Sequence, residues 1–190
     1  MRRIKTKKDE AKKRKRNNII LGGILIFVMF FSVIGYGFMG QEGESENKKI
    51  NYKGYEFVPV NDFWIAQADD FYFRFRNNPL ELEDMDVEVK SLNSYQNKPL
   101  YILSENQEAE LELRVNFDQI VQRIQNACLN AEECEGDYPV KNCDEDNFFI
   151  ISEAEISKIE QNGTCVFMQG PSENITKITD MFLLKTIGIN

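Results

Sequence analysis

The chain has 190 residues, 28% of them charged, with 23 Lys/Arg against 31 Asp/Glu, no histidine and a net charge of −8. Without histidine, Ser-His-Asp and Cys-His nucleophile systems and histidine acid–base catalysis are excluded. The charge is also uneven: residues 1–17 carry net +8, leaving −16 for residues 18–190, and so acidic a body repels nucleic acid, which is not expected as a partner.

The basic tail (residues 1–17) ends in "KKRKR" and runs into an uncharged stretch of 21 residues, Ile19 to Met39. As a helix that stretch measures about 31 Å, close to the ~30 Å hydrocarbon core of a bilayer. A secretory signal has an apolar core of about 7–15 residues followed by an A-x-A-like site. Here the run is longer, and its only small-residue candidate is Gly35-Tyr36-Gly37. The expectation is therefore a retained signal-anchor, a transmembrane helix over residues 18–40 that contacts the lipid bilayer. Lys/Arg-rich loops stay in the cytoplasm. The expected location is thus the cell membrane, single-pass, with the N-terminus cytoplasmic and the C-terminal domain outside.

Residues 41–50 are polar with glycines and read as a flexible stalk. Residues 51–190 then form one extracytoplasmic α+β domain, a mixed β-sheet with at least two packed helices. "NYKGYEFVPV" predicts a hairpin. "FWIAQADDFYFRFRNNP" predicts two strands about Ala68-Asp69-Asp70, with Phe71, Phe73 and Phe75 on one face. Val87–Leu92 and Leu100–Ser104 are further strands. Ser104 and Gln107 have capping-box spacing and open a helix through "ENQEAELELR", although Leu111, Leu113 and Val115 also alternate as in a strand. Phe117, Ile120, Val121, Ile124, Ala127 and Cys128 fit one face of an amphipathic helix. "NFFIIS" (Asn147–Ser152) is a buried strand. Asn162-Gly163 turns a hairpin, and a last helix carries Ile175, Ile178, Phe182 and Leu183 until Gly188 stops it.

All four cysteines, Cys128, Cys134, Cys143 and Cys165, fall in this domain. An even number in an exported region reads as two disulfides. Three pairings are open; Cys128–Cys134 with Cys143–Cys165 is preferred. The acidic loop around them offers Glu132, Glu133, Glu135, Asp137, Asp144, Glu145 and Asp146 as oxygen ligands. Calcium is the metal such a set would take, against the plainer reading of a solvated acidic loop, since no EF-hand pattern is present. Asn162 and Asn174 each begin an N-x-[ST] glycosylation pattern. Ser45 and Lys48 match S-x-x-K, but in the stalk nothing would hold the geometry. No phosphate-binding glycine loop occurs, and no cofactor is expected.

"YFRFRNNPLEL", "NKPLYIL", "CVFMQG" and "TDMFLLKTIGI" resemble segments of uncharacterised single-pass archaeal membrane proteins with a disulfide-containing exported domain. The resemblance implies an exported domain and carries over no catalytic residue. The leading expectation is a membrane-anchored, non-enzymatic domain for binding or envelope organisation, with a cationic or membrane-associated protein as partner. The alternatives are a pilin-like surface subunit and a carboxylate-dependent envelope hydrolase. The pilin reading lacks Gly or Ala before the apolar run, where Asn17-Asn18 stand. The hydrolase reading requires two acids that converge in a pocket with raised pKa.

Overall fold

A computed structural model describes residues 17–29, 49–132, 134 and 136–189. The chain divides into two compact units, residues 1–46 and 47–190. In the first, residues 17–29 are helical. Among the described residues no helix is long and apolar enough to cross a membrane. The basic tail before residue 17, residues 30–40 of the expected span and most of the stalk lie outside the described residues.

The second unit is α+β and holds two sheets. Strands β1 (Ile50–Tyr52), β2 (Tyr55–Val60), β3 (Phe63–Ala68) and β4 (Phe71–Phe75) form an antiparallel meander in chain order. Its turns use residues that tolerate positive φ: Lys53-Gly54 (φ 48° and 90°), Asn61 (54°) and Asp69 (52°). Register aligns Phe57, Ala66 and Phe73 across three strands. All three are buried, and so is Phe75, so the alternation read in "FYFRF" sets the inner face.

The second sheet has the order β6-β5-β7-β9-β8. Strands β5 (Pro99–Ser104), β6 (Arg123–Asn126), β7 (Asn147–Glu153) and β9 (Cys165–Gly170) run parallel. The edge strand β8 (Lys158–Asn162) pairs antiparallel with β9. Helix α1 (Gln107–Phe117) connects β5 to β6, and α2 (Ile175–Thr186) follows β9. One face of this sheet packs with both helices and the first sheet around Tyr95, Phe117, Phe149 and Phe182. The rings of Phe149 lie 5.0 Å from those of both Phe117 and Phe182, edge to face, the geometry aromatic quadrupoles favour. The opposite face carries a smaller cluster of Tyr101, Phe148, Ile150 and Cys165, covered by Ala127, Leu129 and Cys143 from the loop between β6 and β7.

Three sequence expectations need correction. The helix expected from Phe117 to Cys128 is absent. Helix α1 ends at Phe117 with Asp118 at its C-cap, and residues from Arg123 become the edge strand β6. Parallel pairing with β5 supplies backbone partners there, and extended geometry puts Ile124 against the main core and Ala127 against the cluster on the other face. Period alone could not see a strand that borrows its partners from tertiary structure. The cap of α1 is Asn106, whose side chain accepts from the Ala109 N–H at 3.0 Å, not Ser104. Finally, Val87–Leu92 pairs with no strand. Its extended part is pinned at one end, where Asp84 meets both Lys53 and Lys185 at 2.9 Å, while Val87 and Val89 pack on the core.

Candidate functional site

Strand β4 lies at the edge of its sheet, so the outward N–H and C=O groups of its alternate residues need partners. Helix α1 supplies them with side chains. Gln119 Nε2 donates to Tyr72 O at 2.8 Å, and Asn116 Nδ2 donates to Arg74 O at 2.8 Å. The Arg74 N–H donates to Asn116 Oδ1 at 2.7 Å, and the Arg76 N–H donates to Glu112 Oε1 at 2.8 Å. Glu112, Asn116 and Gln119 stand at i, i+4 and i+7, so one stripe of α1 and the turn after it acts as a surrogate strand. Helix α2 completes the seam: Asp180 Oδ2 accepts from Asn77 N at 2.8 Å and from Asn77 Nδ2 at 2.9 Å.

Within this seam two acids meet. Glu112 and Asp180 are both buried, and the Asp180 charge lies close enough to act on the Glu112 carboxyl. Glu112 Oε2 and Asp180 Oδ1 are buried with no hydrogen-bond partner among the described residues. Two buried neighbouring acids do not readily both carry charge. Burial pushes both groups above their ordinary values, and with the Asp180 charge it takes Glu112 up to about 10. Asp180 Oδ2 accepts from both Asn77 donors and Glu112 Oε1 from the Arg76 N–H, so burial and the neighbouring Asp180 charge favour the neutral form at Glu112.

Outside the seam, between β4 and α1, lies an open groove of about 190 Å³ lined by Phe63, Arg74, Arg76, Leu111, Glu112, Val115 and Asn116. The Arg74 and Arg76 guanidiniums lie 4.6 and 6.0 Å from the centre of the Phe63 ring. Asp180 is not among the lining residues, so a single acid touches the groove. A third polar cluster lies on the other side of the second sheet. There Tyr101 Oη accepts from Arg123 Nη2 at 3.2 Å, and Lys141 Nζ lies 4.2 Å from the Tyr101 ring and 3.2 Å from Asp146. The Arg123 hydrogen bond, with help from Lys141, holds the Tyr101 hydroxyl below its ordinary value.

The disulfides are Cys128–Cys134 and Cys143–Cys165, the preferred pairs. Among the calcium candidates, Glu132, Asp137 and Asp144 are exposed, Asp146 is engaged by Lys141 and the Asn142 N–H, and Glu133 and Glu135 lie outside the described residues. No group of three potential ligands that could hold a metal ion forms among the described residues. Asn162 is exposed beside its turn; Asn174 is half-buried at the start of α2, with no capping bond from its side chain. Sequence reasoning missed Glu112, Asp180 and Arg74. The signal that could have found the first was the Glu112–Asn116–Gln119 spacing, a polar stripe on a helix whose neighbouring stripe, Ala109, Leu113 and Phe117, is apolar. No known protein family, characterised protein or solved structure matches this chain.

Proposed function

We propose that the chain is a membrane-tethered, extracytoplasmic binding domain. The binding part of this reading rests on one observation: the two acids that converge are spent on structure. Each accepts one backbone N–H just beyond β4, Glu112 from Arg76 and Asp180 from Asn77, and Asp180 does not line the groove. The location rests on the net +8 tail before the apolar run, with two disulfides in the domain that follows. Confinement beside a bilayer raises the effective concentration of neighbouring membrane or wall components, which suits a binder of modest affinity. In sealed right-side-out vesicles, external protease should digest the chain beyond about residue 45; a protected C-terminal domain overturns the location. A carboxylate-dependent hydrolase is the second reading, favoured by the raised Glu112 at the groove floor. It requires an activity lost in Glu112→Gln while the domain stays folded.

A further inference from the structure

We infer that the groove between β4 and α1 is a binding site for the free C-terminus of a partner polypeptide that ends in an apolar residue. This rests on the binding reading above and gives it a ligand class. Charge complementarity comes first. In a segment of net −16, residues 18–190, this face presents two guanidiniums. Arg74 forms no ion pair among the described residues; Arg76 approaches Glu108 only at 3.7 Å, and its Nε is buried without an acceptor. Phe63 lies under both and limits how the planar forks can turn, so their N–H groups are set to meet a planar carboxylate.

The wall beside them is apolar. Leu111 and Val115, one turn apart on α1, are 55% and 39% exposed, a surface that gains by covering a hydrocarbon side chain. At about 190 Å³ the groove is smaller than a drug-sized pocket, so it suits one terminal residue and not an extended ligand. The one acid on its floor, Glu112, is buried with one oxygen already accepting from the Arg76 N–H, and burial pushes its carboxyl toward the neutral form, which opposes an anion little. The seam uses only the backbone of Arg74 and Arg76, so both side chains can be changed without unpinning β4.

The test uses the full chain in lipid nanodiscs and isothermal titration, with empty nanodiscs as the blank. The probes are acetyl-Gly-Gly-Val-Leu with a free carboxylate, the same peptide as its C-terminal amide, octanoate and inorganic phosphate. The free acid should bind, and the amide should bind about tenfold more weakly or worse. Arg74→Gln and Arg76→Gln should each weaken the free acid by about tenfold while thermal unfolding stays unchanged. Equal binding of acid and amide overturns the inference, as does binding of phosphate alone, tighter binding of octanoate than of the peptide, or binding of no probe. Vesicle topology is read separately. An outside domain that binds no probe sinks the groove alone, and an inside domain that binds the free acid sinks only the location.

Discussion

Glu112 shows how one proton can carry a structural load. Burial, with the Asp180 charge, pushes its carboxyl from an ordinary 4.5 up to about 10 in the folded chain, so the folded state keeps a proton that the unfolded state releases between those values. The stability it contributes is therefore full below pH 4.5 and is lost as pH rises through about 10. Gln at this position keeps the oxygen that accepts from Arg76 and offers Asp180 a permanent N–H. Glu112→Gln should flatten the pH dependence of urea unfolding and exceed the parent at pH 9 by roughly 1–3 kcal/mol; a parent curve that is level from pH 6 to 9 contradicts a raised Glu112 carboxyl. Tyr95 gives a simpler case. Its hydroxyl is buried without a partner among the described residues, and burial pushes the phenol up. Tyr95→Phe removes an unmet polar group at constant shape and should raise the unfolding midpoint, by about 1 kcal/mol equivalent. Neither feature was legible in the sequence, because nothing local marks which of 31 acids will meet another across two helices.

The elements were legible where their pattern is local and illegible where their partner is distant. The meander β1–β4 and the hairpin at Asn162-Gly163 follow from alternation and turn residues. Gly163 is required there for a second reason. At φ 59° a Cβ would run into the Cys143 carbonyl, which already accepts from Thr164 N and Oγ1 at 2.7 and 2.8 Å. The stretch after Phe117 fits a helical period equally well, yet β5 offers it a ladder and wins. The polar stripe of α1 yields the sharpest prediction at this scale. Asn116→Asp keeps the acceptor for Arg74 N but loses the donor to Arg74 O and buries a charge, so it should destabilise by about 2–3 kcal/mol. Glu112→Gln, one turn away, should act in the opposite direction at neutral pH and above. Two changes of the same sign in urea titrations would mean that the stripe is not a surrogate strand.

At the scale of the whole second unit, the five-stranded sheet is covered by different means on its two faces. One face is packed by helices and the first sheet into the main cluster, the other by a loop with little regular structure. That loop offers few ladder hydrogen bonds, chiefly Cys128 N to Pro139 O and Lys141 N to Cys128 O, both about 3 Å. Its attachment depends on covalent links: Cys143–Cys165 ties it to β9, and Cys128–Cys134 closes it on itself. This division makes the disulfides local in their effect. Replacing Cys143 and Cys165 together by serine should cost about 2–4 kcal/mol, concentrated on one face. In native-state hydrogen exchange, amides of residues 127–146 should lose protection, while those of β7 and β9 keep most of theirs because both strands remain paired on either side. Uniform loss of protection across both faces would show instead that the small cluster under the loop is an integral part of the main core.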